Sequence, residues 1–294
     1  MEPIRHLAAS YRGTHLAAAE FKSVVHLWDL RSRTQMNTIE TTLDFGGTRL
    51  AISPDGEIIA VGAYRRHGIA VYRTIDGVEL WRRKDLTKVQ HLGFDRKGRD
   101  IFCSFEPSEC QRLDVVSGET AGAIVGAKEV WESPWDSIEL RQLRSQHFAL
   151  IKDESPIGSI PKASFAALSV AFSPSEVCIS EAGGPVRLFE LSSGTQLWRY
   201  DPPQGVHFLE VSYSSVARRF MGVSWPFENG GAHVLSHFDD EGAAHSVCEL
   251  GPGKSVYLSA FCMEGAKLVT NTGSVFSTDS GKVEGQLWDK PLGG

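Results

Sequence analysis

The chain has 294 residues, with 30 basic and 36 acidic side chains and a formal net charge of −6. That balance argues against a broad nucleic-acid-binding surface, and no apolar run approaches the ~20 residues of a membrane span, so the expectation is a soluble protein with no membrane partner. Met1-Glu2-Pro3-Ile4-Arg5 lacks a basic start followed by an apolar run, which points to the cytoplasm. Cys103, Cys110, Cys178, Cys248 and Cys262 are odd in number and sit in apolar, strand-like contexts, so reduced structural thiols are expected.

Taken in chain order, the apolar runs are short, rich in β-branched and aromatic residues, and separated by turns. No stretch of a dozen residues holds a 3.6-residue apolar period, so the chain reads as all-β. The first unit predicts strands over 4–10, 14–19, 24–30 and 35–40, with the glycine-free turn Arg31-Ser32-Arg33 before the last. The second predicts 48–53, 57–63, 69–73 and 78–82, with Ser53-Pro54-Asp55-Gly56 as one turn and Ile75-Asp76-Gly77 as another. The third predicts 89–94, 100–104, 111–115 and 120–125, turning at Val116-Ser117-Gly118. The fourth, 128–132, 137–143, 147–152 and 157–160, lacks the usual glycines and turns at Asp153-Glu154.

The fifth unit returns to form, with Ser192-Ser193-Gly194 between 186–191 and 195–199. The sixth, 208–213, 219–225, 232–238 and 243–250, carries extra residues at Pro226-Phe227-Glu228-Asn229-Gly230-Gly231 and turns at Asp240-Glu241-Gly242. The seventh predicts 255–262, 266–271, 274–277 and 283–288, turning at Ser280-Gly281. Successive turn markers at 33, 77, 118, 194, 242 and 281 give a period near 42, with one marker missing near 156. Seven such units fill the chain as blades at about 4–40, 43–82, 89–125, 128–160, 163–200, 206–250 and 255–288. A four-stranded unit cannot bury both faces alone, whereas packed neighbours can, so the predicted fold is a single-domain, seven-bladed β-propeller. Since the first strand reads as an inner one and the last as an outer one, closure without a shared terminal strand is expected.

Three kinds of stretch carry a resemblance to a known family. These are Val25-His26-Leu27-Trp28-Asp29-Leu30, the strand-and-turn stretches Ala51-Ile52-Ser53-Pro54-Asp55-Gly56 and Ala171-Phe172-Ser173-Pro174, and the Gly-x-x-x-Trp form of Gly77 to Trp81 and Gly194 to Trp198. Gly118, Gly281 and Trp288 extend that pattern. The repeat resembles WD-repeat propellers and the related bacterial quinoprotein-like propellers over essentially the whole chain. The resemblance implies a protein-binding scaffold, and by analogy with bacterial-type propellers one concrete version is neutralisation of a cognate toxin.

Motifs for chemistry are weak. Gly251-Pro252-Gly253-Lys254-Ser255 resembles the end of a phosphate loop, but Cys248 stands where the first glycine belongs and a strand follows, so it reads as a tight turn. His233 and His237 lie four apart in a strand, about 13 Å at ~3.3 Å per residue, too far to share a metal. Asp239-Asp240-Glu241 and Asp153-Glu154 read as solvated turn acids. No nucleophile motif occurs, and no cofactor is expected.

Propeller topology places the loops between second and third strands on one face. That gathers Glu20-Phe21-Lys22, Tyr64-Arg65-Arg66-His67, Phe105-Glu106-Pro107, Glu181-Ala182-Gly183 and Trp225-Pro226-Phe227-Glu228 on one rim. Aromatics and arginines are the residue types that anchor protein interfaces, so Phe21, Tyr64, Arg65, Arg66, Glu106, Trp225 and Phe227 are the candidate partner contacts. The favoured function is a non-catalytic interaction platform. The alternative is a propeller hydrolase or lactonase with polar groups converging on a central channel, but the readable inner strands at 50–53, 169–172 and 256–261 are apolar or small.

Overall fold

The computed structural model describes residues 4–10, 13–20, 24–41, 49–63, 68–105, 110–145, 147–163, 167–226, 231–251 and 258–288. Among them, 28 strands form seven four-stranded antiparallel sheets, each from four consecutive strands, the blades of a seven-bladed β-propeller without helices. No sheet is shared between the first and last strands of the chain.

Two compact units divide the chain: 1–130 with 287–294, and 131–286. The first unit holds β1 (Ile4–Ala9), β2 (His15–Glu20), β3 (Val24–Asp29) and β4 (Thr34–Glu40), then β5 (Arg49–Ile52), β6 (Ile58–Gly62), β7 (Ile69–Arg73) and β8 (Glu79–Arg83). It continues with β9 (Val89–Phe94), β10 (Asp100–Phe105), β11 (Cys110–Asp114), β12 (Thr120–Ile124) and most of β13 (Ala127–Glu132). The second holds β14 (Ile138–Leu143), β15 (His147–Lys152), β16 (Ser155–Pro161), β17 (Ala167–Phe172), β18 (Glu176–Glu181), β19 (Val186–Glu190) and β20 (Gln196–Tyr200). After them come β21 (Val206–Ser214), β22 (Arg219–Pro226), β23 (Val234–Phe238), β24 (Ala244–Glu249), β25 (Ser259–Cys262), β26 (Lys267–Thr270), β27 (Ser274–Ser277) and β28 (Val283–Gln286).

The turns between first and second strands are set by a small polar residue that ends the first strand. Ser53 Oγ accepts from Ile58 N at 2.9 Å and donates to Asp55 at 2.6 Å, and Ser173 Oγ accepts from Glu176 N at 3.0 Å. Ser10, Ser133 and Ser214 accept backbone N–H groups in the same way, and Asp95 takes the place of serine in the third sheet. Local side-chain acceptors of this kind are what favour a turn over continued strand.

The turns between third and fourth strands explain the period of 42. Asp29 accepts from Arg31 N and Ser32 N, and Asp114 does the same for Val116 N and Ser117 N. At Gly118 (φ +72°) an added Cβ would lie 2.6 Å from the Trp81 ring, and at Gly242 (φ +85°) 2.8 Å from Trp198. Each tryptophan thus lies over the turn glycine of the following sheet, where any side chain would be both strained and displaced. Trp81 Nε1 also donates to Val115 O at 2.7 Å. Where the first sheet has no turn glycine, Trp288 instead meets Trp28, ring centroids 5.6 Å apart. The missing marker near 156 is Asp153-Glu154 itself, with both residues in the left-handed region at φ 47° and 62°, so the fourth sheet forms its turn without glycine.

Third strands are buried on both faces rather than alternating. Val186 and Leu188 feed one apolar cluster and Phe189, with Leu191 just beyond β19, another, while Ile69 and Val71 are likewise separated from Ala70 and Tyr72. Burying each such aliphatic side chain contributes about 1.5–3 kcal/mol. A strand flanked by sheets on both sides has no solvent face, which is why its sequence runs apolar. No helix among the described residues is long and apolar enough to cross a membrane.

Candidate functional site

Of the predicted partner contacts, Phe21, Tyr64, Arg65, Arg66, Glu106 and Phe227 lie outside the described residues, as do positions 252–257 of the glycine-rich loop. Trp225 is described. It sits near the end of β22 opposite His207, half-buried, and its ring stacks on His233 at 5.8 Å and 12°. His233 is buried, whereas His237 is half-buried and stacks on His245 at 5.1 Å.

Two acids that open the rim loops are anchors instead of projecting contacts. Glu181 and Arg187 are 2% and 3% exposed and form an ion pair; Arg187 also donates to Pro161 O at 2.8 Å, and Glu181 accepts from Ala163 N at 2.8 Å. Glu20 repeats the arrangement with His26, six residues on, at 2.9 Å. Such groups stay buried only because they are paired and hydrogen-bonded.

The second unit carries a cleft of about 730 Å³ on the side of the first-to-second and third-to-fourth turns. Its walls include Pro174, Trp198, Phe220 and Phe238, and Trp135 meets Tyr213 edge-on at 6.5 Å. Trp135 is 39% and Leu197 49% exposed. Arg218, held at φ 52° by the turn that Ser214 caps, and Asp240 are both exposed, line the cleft and have no ion-pair partner among the described residues.

A third constellation was missed at the sequence level, since the inner strands were expected to be apolar or small. In the first unit β1 and β13 have the same burial pattern and β9 departs from it only at its second residue; their third residues are His6, His91 and Glu129. Register places Arg49 at the corresponding position of β5: His6 pairs with Ala19, and Arg49 with Gly62. Irregular register just before His6 and at Gln90 turns these side chains out of strict alternation.

All four are half-buried. Burial, with the Arg49 charge adding, pushes His6 down to about 4, and its buried Nδ1 has no hydrogen-bond partner among the described residues. His91 is also lowered, by burial first and Arg49 to a lesser degree, against the opposing Glu129 carboxylate. His91 Nε2 lies 3.1 Å from Val130 O, so Nε2 carries the proton and Nδ1 the lone pair. Arg49 Nε donates to Gln90 O at 2.6 Å.

In the second unit the corresponding positions on β17 and β21 are Ser169 and Glu210, and Ser259 of β25 lies against Glu210. Ser259 Oγ donates to Glu210 at 2.7 Å and Phe261 N donates to it at 3.1 Å, yet burial raises Glu210 to about 7. The signal for the whole set is legible: positions 6, 49, 91, 129, 169 and 210 recur at 38 to 43 residues, and each precedes a leucine or valine.

No protein-family profile and no curated protein sequence matches the chain. In structure it is similar to the β-propeller domain of Cps50 (Swd1) from Myceliophteria thermophila, at 12% identity over 96% of both chains with a TM-score of 0.72. It is similar also to the C-terminal WD40 domain of Sif2, at 12% identity over 92% of this chain and 93% of that one, TM-score 0.67. U3-55K matches at 14% identity over 92% and 88%, TM-score 0.69. At these identities the likeness establishes the fold, which is that of WD40 β-propeller domains.

Proposed function

We propose that the protein is a non-catalytic interaction platform, acting in the cytoplasm on a partner protein. The observation that carries this reading is the second-unit cleft, where Trp135 and Leu197 stand exposed beside Arg218 and Asp240, two exposed charges without ion-pair partners among the described residues. Interfaces concentrate their energy in such aromatic and arginine anchors set in concave surfaces and rimmed by polar groups. The half-buried Trp225 edge is a second candidate contact, and Phe21, Tyr64, Arg65, Arg66, Glu106 and Phe227 are proposed as further contacts on their residue types alone. Five free thiols, four of them buried, support a reducing compartment.

The finer reading, from the resemblance to bacterial-type propellers, is that the partner is a toxin this protein neutralises. Affinity capture from the native lysate with the wild type, Trp135→Ala/Arg218→Glu and Trp225→Ala tests the platform. One partner retained by the wild type and lost from at least one variant is the expected result; equal retention by all three overturns it. Co-expression with that partner separates the toxin reading, since rescue of growth supports it and no growth defect from the partner alone refutes it.

A further inference from the structure

The first strands of unit 1 gather a charge pattern unlike the rest of the chain. At their leading ends stand Arg5, Arg49 and Lys128 against one carboxylate, Glu129, in a protein whose net charge is −6. Between these charges lie two imidazoles, His6 and His91. Desolvation keeps both neutral at pH 7, so the charges among the half-buried groups are Arg49, which acts on both imidazoles, and the Glu129 carboxylate, which acts on His91. His6 Nδ1 is a buried polar atom with no hydrogen-bond partner among the described residues, a cost of about 1–3 kcal/mol unless a ligand or water completes it.

Among the described residues no group of three His, Cys, Asp or Glu side chains is placed to hold a metal ion. A cation would also meet the Arg49 charge. An oxyanion meets the opposite field: guanidinium N–H groups suit carboxylate and phosphate oxygens, and a neutral imidazole N–H adds a donor of no net charge. His91 donates through Nε2 to Val130 O, so its role toward such a ligand is to take a proton on Nδ1 as the anion arrives. Glu129 opposes the anion and limits affinity.

We propose that His6, Arg49 and His91 form a binding site for a small oxyanion, a carboxylate or a phosphate group, on the first strands of unit 1. The proposal does not rest on the partner-binding reading above.

The test is calorimetric titration of the full chain with inorganic phosphate and, separately, with succinate, with His6 and His91 followed by NMR. Saturable binding is expected, with both imidazole signals moving toward the protonated form. Arg49→Gln should weaken affinity about 10- to 100-fold, the loss of one charge-assisted contact. His6→Gln, which leaves the Arg49 to Gln90 bond intact, should weaken it several-fold and guards against a folding defect in the arginine variant. Glu129→Gln should strengthen binding, a direction that a purely structural role would not give. Tighter phosphate than succinate assigns a phosphate-bearing ligand, and the reverse order a carboxylic acid. No saturable binding of either anion, or unchanged affinity in Arg49→Gln and His6→Gln, overturns the proposal.

Discussion

Replacing Glu210 with glutamine should make the protein more stable at pH 8 and leave it unchanged near pH 4. Glu210 lies on β21, and burial raises its carboxyl from 4.5 to about 7 even though Ser259 Oγ and Phe261 N both donate to it. Below the unfolded value both states hold the proton and the group has no effect. Between 4.5 and 7 the unfolded chain releases its proton first, so folding stability falls as pH rises. Above 7 the cost is complete, at most about 3 kcal/mol at 1.36 kcal/mol per pH unit. Glutamine keeps an acceptor for Phe261 N and carries no charge, so Glu210→Gln should remove that fall. Urea unfolding of both proteins at pH 4, 5, 6, 7 and 8 reads it directly, with a gain of about 1–3 kcal/mol expected at pH 8. A difference that stays constant across this range would refute the reasoning, because the carboxyl would then not change protonation between the two states in that window.

Arg187→Met should destabilise by about 3–5 kcal/mol, because it leaves Glu181 buried with its charge uncompensated; Arg187→Met/Glu181→Leu should recover most of that loss in the same urea measurement. Gly242→Ala should cost about 1 kcal/mol or more, since its φ of +85° and the Trp198 ring 2.8 Å from the new Cβ both oppose a side chain. Trp198→Ala, which empties the other side of the same contact and strips the stacked Phe238 ring at 5.3 Å, should cost about 3–5 kcal/mol by thermal or urea unfolding.

The seven blades were legible because each turn is local chemistry. Ser53, Ser173, Asp29 and Asp114 hold their turns through atoms two to five residues away, so the pattern survives in the letters. The fourth unit follows the same pattern without glycine, since Asp153 and Glu154 take left-handed conformations that glycine takes elsewhere. That the loop acids Glu20 and Glu181 are buried anchors is not legible, because nothing in a six-residue separation says that the side chain after the turn folds back to meet the acid. The first-strand set was missed for a different reason. The strand expected over 48–53 contains Arg49, but judging its polarity over 50–53 begins one residue past it, and each polar residue stands alone in an apolar run. Only alignment of all the first strands brings His6, Arg49, His91, Glu129 and Glu210 to equivalent positions. The cleft was out of reach altogether, since Trp135 and Tyr213 lie 78 residues apart and meet only through tertiary packing.

The platform account is tested most directly by hydrogen–deuterium exchange on the full chain with and without its captured partner. It predicts protection at the turns that line the second-unit cleft, Ser173 to Ser175, Ser214 to Arg219 and Asp239 to Asp240, and loss of that protection in Trp135→Ala/Arg218→Glu. Protection absent from those turns and from the Trp225 edge would contradict it.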